Sequence, residues 1–414
     1  MTFKMNSFWR NVPLLATSQS LMMSSMSLIL TAAALVGFSL APDKSLATLP
    51  VAVIFIAVML TSIPAALLMD RIGRKNGFML ATFFGMGGGA VATYGIIQAD
   101  FWLFTAGGVL VGMFNGFGNY FRFAAADAVD TEHKSRAISF VMLGGVVAAI
   151  VGPNLANLTQ DSIPDAPFAG SYMSIIVIYA LALLALTFLK LPTAPKTSDQ
   201  VTAGQGRSLV TIASQPKFIV ALICAMLGYG VMSFVMTATP LAMNHHAHSF
   251  SDTSFVIQWH VLGMFAPSFV TGHLIHRFGV LKIMFVGGVM GLMCVAINLL
   301  GSSVPHYWAA LTLLGISWNF LFIGSTTLLT ETYAQQERGK TQAMNDFVIF
   351  TTVTISSLTA GTLQHHFGWQ VINVGVVPFL IFILLCILWL GNKLRRDERF
   401  TESQLQEVLS EHEV

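Results

Sequence analysis

Asp70-Arg71-Ile72-Gly73-Arg74-Lys75 is the first dense run of charge in the chain, and its flanks decide the fold. Upstream, Leu49 to Met69 carries no charged residue; downstream, Gly77 to Gln98 carries none either. Each flank is long enough to cross a bilayer, which takes about 20 apolar residues. A chain that crosses, turns tightly and crosses back leaves the turn on one face. Three cations against one anion place that face in the cytoplasm.

Composition extends this reading to the whole chain. Of 414 residues, 55% are hydrophobic and only 10% charged, and the mean hydropathy is +0.71. A soluble domain carries about 25% charged residues, so a chain of this composition belongs in a membrane. The net charge of +2 is spread over loops and forms no basic patch, which excludes nucleic acid as a partner. Cys224, Cys294 and Cys386 lie singly in apolar runs and read as small buried hydrophobes. The apolar run from Val12 to Pro42 is too long for the core of a secretory signal and reads as an uncleaved first helix.

Twelve spans follow: 13–40, 48–69, 77–98, 101–126, 136–159, 170–190, 217–240, 253–275, 281–301, 306–330, 342–364 and 370–392. They divide into a six-helix bundle at 1–191, a polar linker rich in helix breakers at 192–215, a second six-helix bundle at 216–392, and a charged tail at 393–414. With both termini inside, every one of the 21 Lys and Arg residues except Lys44 falls on the cytoplasmic side. The halves also echo each other. Gly272-His273-Leu274-Ile275-His276-Arg277-Phe278-Gly279 repeats the pattern that ends at Gly73, and Asp127 with Lys134 and Arg136 finds counterparts in Glu331, Arg338 and Lys340.

Ala66-Leu67-Leu68-Met69-Asp70-Arg71-Ile72-Gly73-Arg74-Lys75 resembles the signature between the second and third helices of the major facilitator superfamily, G-x-L-x-D-R-x-G-R-R/K, with Ala66 in place of its glycine. The resemblance implies an all-α integral membrane protein with twelve transmembrane helices in two pseudo-symmetric bundles. It also implies a conformational latch of Asp70, Arg71, Gly73, Arg74, Lys75 and Asp127. In it Arg74 pairs with an acid at the end of span 4 (Asp127, or Asp130 as the rival), and Asp70 caps span 11 near Asn345 and Asp346. Gly144 to Asn154 resembles the Gly-Pro signature of drug antiporters in the same superfamily, with Ala148 and Ala156-Asn157 where that pattern wants glycine.

Few residues inside the spans carry charge or a titratable group. Arg122 is the one cation away from the ends of a span, and it is either a coupling or substrate group or a snorkelling cation or structural partner of Asp127. No acid lies near the middle of any span, so a proton-coupled carrier must titrate another group. His260 is that candidate, with a hydrogen-bonded structural histidine as the alternative. Polar and aromatic side chains within the spans are candidate solute contacts: Gln19, Asn115, Asn119, Tyr120, Asn154, Tyr229, Gln258, Trp318 and Asn319. Each has helix-to-helix bonding as its alternative. Their chemistry favours a neutral or aromatic organic solute. His245, His246 and His248 form a short cluster beside Asp252 with weak metal-site character, and no metal or cofactor is expected.

The expected function is secondary transport of a small organic solute by alternating access, driven by a proton or other ion gradient. Uptake of a nutrient and efflux of a toxic compound both stay open. No nucleotide-binding loop appears, and no nucleophile-base or metal constellation supports an enzyme. The loops are too short for a sensor domain. A monomer in the bacterial inner membrane, partnered by its solute, the ion gradient and the bilayer, is the expected assembly.

Overall fold

The computed structural model describes residues 2–130, 133–191, 206–334 and 337–411. All regular structure among them is helical: α1 (Thr2–Leu40), α2 (Leu49–Ile72), α3 (Arg74–Ile97), α4 (Phe101–Gly118), α5 (Phe121–Asp127), α6 (Lys134–Met142), α7 (Gly144–Thr159), α8 (Ala169–Thr187), α9 (Leu209–Ala213), α10 (Pro216–His245), α11 (Phe250–Phe265), α12 (Ser268–Phe278), α13 (Val280–Leu300), α14 (Val304–Thr330) and α15 (Arg338–Glu411), with one 3₁₀ turn at Lys44–Leu46. An unbroken apolar sequence satisfies its backbone in hydrocarbon only by internal hydrogen bonding, and the helix does this within one segment.

Ten segments among the described residues are long and apolar enough to span a bilayer. Two features bring the crossings to twelve. The segment Arg338–Asp397 has 60 residues, about 90 Å of helix, and it turns at Gly368, where φ is 75°. That value lies in the left-handed region open to glycine. Span 8 is the other case: it is broken at Ala266–Pro267 into α11 and α12, each too short alone.

Three expected spans are therefore interrupted: span 4 at Asn119–Tyr120, span 5 at Leu143 and span 8 at Ala266–Pro267. The expected loop between spans 11 and 12 is reduced to the turn at Gly368. Part of the expected linker, 192–205, lies outside the described residues; the rest includes α9. The expected tail continues α15 without a break as far as Glu411.

Each half has its own apolar core, one drawn mainly from α1–α8 and the other mainly from α10–α15. The halves correspond closely at the turn that opened the sequence. Gly73 has φ 86° and ψ 146°; Gly279 has φ 90° and ψ 146°. Among the described residues, hydrogen bonds between the halves run from the end that carries Lys44 to mid-span. Gly361 N–H donates to Thr48 Oγ1 (3.2 Å), Thr362 Oγ1 to the Ser45 carbonyl (3.0 Å), and Asn154 Nδ2 to Gln258 Oε1 (2.7 Å). Phe168 and Phe250 meet edge-on at 4.7 Å on the same side. At the opposite, basic ends α12 is largely exposed, and Arg122 of the first half interacts electrostatically with Asp346 of the second. The hydrogen-bonded closure between the halves thus lies toward the Lys44 face.

Candidate functional site

On the basic face the turn at Gly73 swings α3 back along α2 and sets Arg74 in its first turn. Asp127 ends α5, a seven-residue helix held in place where Tyr120 Oη donates to the Ser62 carbonyl (3.0 Å). Arg74 Nη1 and Asp127 Oδ2 are 2.6 Å apart, with side-chain exposures of 34% and 59%. Lys75 Nζ donates to the Thr187 carbonyl at 2.6 Å. Asp70 and Arg71 are exposed, and Asp70 makes no hydrogen bond or ion pair among the described residues. Asn345 bonds its neighbour Asp346 instead (3.1 Å). The structure therefore brings Arg74 to Asp127 and leaves Asp70 apart from α15. Arg122 rests on the Phe123 ring (4.8 Å), and Asp127 is taken by Arg74, so the alternative of an Arg122–Asp127 pair is not realised.

The second half wires the equivalent positions differently, and sequence reasoning missed this. Glu331, the counterpart of Asp127, pairs with Lys217 at the start of α10 (2.7 Å). Glu337 accepts from the Arg207 backbone N–H (2.7 Å) and guanidinium (2.8 Å) and from Ala334 N–H (2.9 Å). Arg207 Nη2 also donates to the Thr332 carbonyl. The Arg207 guanidinium, seconded by the Ala334 N–H, holds the Glu337 carboxyl down to about 2.

The candidate solute groups separate into three kinds. Asn115 donates to its own helix at Val111, and Asn319 is consumed by Met264, Ser268 and Thr271, so both read as structural. Asn154 and Gln258 bond each other, with Asn154 on the stripe of α7 that exposes Val147, Ile150, Val151 and Leu158. The third kind faces the seam between halves. Gln19 is buried and makes no hydrogen bond among the described residues. Asn119 and Tyr120 sit at the break between α4 and α5. Tyr229 and Trp318 meet edge-on at 5.2 Å, and Tyr229 packs on both cores.

Around that pair the fold adds Phe265, Phe322 and Phe350. Trp318 and Phe322 stack at 4.8 Å with 9° between planes. Tyr229 and Trp318 stand out in the sequence as aromatic side chains with polar tips; for Phe322 the signal is its i, i+4 spacing from Trp318 on α14.

His260 is fully buried, and its Nδ1 lies 2.8 Å from the Leu311 carbonyl. A carbonyl only accepts, so Nδ1 carries the proton and Nε2 is left as a bare acceptor. No group among the described residues reaches it. The loop histidines are engaged separately. His246 Nδ1 approaches the Ala242 carbonyl (2.8 Å) and Tyr307 Oη (3.0 Å), while His248 Nε2 approaches the Ser302 carbonyl (2.6 Å). With these differing partners, His245, His246 and His248 do not converge. Among the described residues no three metal-ligating side chains do.

The family model of the Major Facilitator Superfamily matches residues 15–237 and again 218–411. The chain belongs to the major facilitator superfamily. Among curated superfamily relatives, the riboflavin transporter RfnT of Brucella anthropi is 43% identical over 379 residues, covering 92% of this chain and 95% of that protein. The uncharacterized transporter YddS of Bacillus subtilis is 25% identical over 380 residues, covering 87% and 86%. Among solved structures, the human organic anion transporter MFSD10 superposes with a TM-score of 0.66 at 13% identity, over 92% of this chain and 99% of that one. That likeness speaks for the fold alone. The chain is a multi-pass membrane transporter of a small solute, and not an enzyme.

Proposed function

We propose that this transporter carries riboflavin, or a flavin with the same ring system, inward across the bacterial inner membrane, with both termini cytoplasmic and the proton gradient as its energy source. The observation that carries this reading is the 43% identity to a riboflavin transporter over nearly the full length of both chains. The seam chemistry supports it. Riboflavin is uncharged at neutral pH and presents a flat tricyclic ring, and the seam offers aromatic rings and an unused amide, Gln19. The antiporter pattern gives efflux no support, since its glycines are missing at Ala148 and Ala156-Asn157. His260 is the proposed proton acceptor, because its Nε2 keeps a lone pair that no donor among the described residues occupies, and ionisable groups within spans are usually functional.

The test is labelled riboflavin in proteoliposomes, with a proton gradient imposed in either direction. Accumulation against the flavin gradient, abolished by a protonophore, is the expected result; absence of both uptake and flavin counterflow overturns the reading. In the same assay His260→Ala should lose accumulation and keep counterflow. Normal accumulation by that variant across the working pH range makes His260 structural.

A further inference from the structure

We propose that Trp318 is the residue that selects the solute's ring: its indole N–H donates to an acceptor on the edge of a planar fused heteroaromatic system held in the box of Tyr229, Phe265, Phe322 and Phe350. The proposal rests on the flavin reading and assigns that solute a site. Three observations carry it. The first is an unmet donor. Trp318 is 7% exposed, and its Nε1 has no acceptor among the described residues. An indole N–H can only donate, and a buried donor left without a partner is costly enough that native structures rarely keep one. The second is the wall around it. Phe322 lies flat against the indole (4.8 Å, 9°), while Tyr229 (5.2 Å) and Phe265 (6.1 Å) meet it edge-on. None of the three aromatic side chains is seen to accept from the indole N–H. The occupant must therefore bring both a flat face and an acceptor.

The third is position. Tyr229 and Phe322 pack against the cores of both halves, so the box lies at the seam where the halves move. Phe265 reaches across the seam to Gly145 of α7, where an added Cβ would come within 2.6 Å of the ring. The Tyr229 hydroxyl makes no hydrogen bond among the described residues, which gives the box a second polar tip with both donor and acceptor capacity. An isoalloxazine ring has carbonyl oxygens and ring nitrogens along one edge and an apolar dimethylbenzene edge opposite. A box of four rings with one fixed N–H and one hydroxyl matches both edges. Ring stacking by itself tolerates many flat solutes; the buried donor discriminates, because a ring without the acceptor leaves it unpaired.

The test uses purified full-length protein in lipid nanodiscs, titrated with riboflavin, with lumiflavin (the ring without the ribityl chain) and with ribitol, and followed by flavin fluorescence. The wild type should bind riboflavin and lumiflavin with strong quenching by the adjoining indole, and ribitol should not compete. Trp318→Phe keeps a ring but removes the donor; affinity for both flavins should fall roughly five- to tenfold, with most of the quenching lost. Trp318→Leu should weaken binding by well over tenfold. Trp369→Phe removes the other buried indole N–H left unpaired among the described residues, on an indole that packs on Tyr307 away from the box and its rings; it serves as the control and should leave affinity and quenching unchanged.

If Trp318→Leu melts at the wild-type temperature and binds riboflavin with wild-type affinity and quenching, the assignment is overturned and the flavin reading stands. If the wild type binds neither flavin, the flavin reading falls, and this proposal with it.

Discussion

The two halves share a turn and differ in what they do with it. Gly73 and Gly279 have nearly the same backbone angles, and each leads straight into the next helix. Beyond that point they diverge. In the first half the cation one residue on, Arg74, reaches the acid that ends α5. In the second half the residue after the glycine is Val280, and Glu331 turns to Lys217 on a different helix. Duplication kept the geometry and let the charges drift. The lesson is that the turn is an architectural need of two antiparallel helices, whereas the ion pair belongs to one half and carries a separate task. We propose that this task is state selection: the pair steadies the first half's surface, and Asp70 waits for α15 to close upon it.

The sharpest way to break the comparison is to remove the pair on each side. Asp127→Asn should lower transport by up to about fivefold with insertion intact: a pair this exposed is worth about 0–1 kcal/mol, and a bias of about 1 kcal/mol in one state moves a two-state population by that factor. Glu331→Gln should leave transport unchanged in the same proteoliposome assay. Equal losses would mean that the second half has a latch as well. A charge swap, Arg74→Asp with Asp127→Arg, should recover part of the lost rate.

Next in size come the glycines. Neither has a neighbour within 4 Å of a built Cβ, so the cost of Ala there is conformational only. Gly73→Ala and Gly279→Ala should each cost about 1–3 kcal/mol of stability, read as similar drops in the thermal midpoint in detergent. Unequal drops would show that the turn itself has been specialised in one half.

A smaller effect separates the halves by pH. The Glu337 carboxyl titrates at about 2 when folded, below its ordinary value near 4.3. Its stabilisation is therefore complete above that ordinary value and is lost as pH falls toward 2. Glu337→Gln should flatten the stability of the second half over this acid window, as followed by hydrogen exchange at 206–215. Smallest of all, Lys217→Ala breaks a half-exposed pair, worth about 0–1 kcal/mol, and should leave the melting temperature nearly unchanged.

Charge was legible in the sequence because an apolar chain makes each charge conspicuous; Arg74, Asp127 and the two-half repeat could be read directly. The aromatic box was not. Phe265, Phe322 and Phe350 are three of 32 phenylalanines, and only the fold separates the ones at the seam from those facing lipid. The Arg207–Glu337 pair joins residues 130 apart along the chain, with no local pattern to announce it. The break at Leu143 is equally silent in hydropathy, whereas the one at Ala266 is marked by Pro267, which cannot continue the helical bonding. Asn319 realises the helix-bonding alternative that its sequence left open: a polar residue in a span advertises a partner but not whether that partner is solute or helix.

The amide bond between Asn154 and Gln258 has a consequence for the membrane around the protein. It joins the halves on the outer edge of α7, among side chains such as Leu158, which is 79% exposed. When the halves part there, the two amides meet acyl chains rather than solvent. A hydrogen bond between helices in lipid is worth about 0.6–2 kcal/mol, and its loss is eased only by water drawn down from the headgroups. How long the carrier dwells with its Lys44 face shut thus becomes partly a property of the bilayer. Thin or loosely packed membranes, which admit that water, should shorten the dwell, and thick, ordered ones should lengthen it.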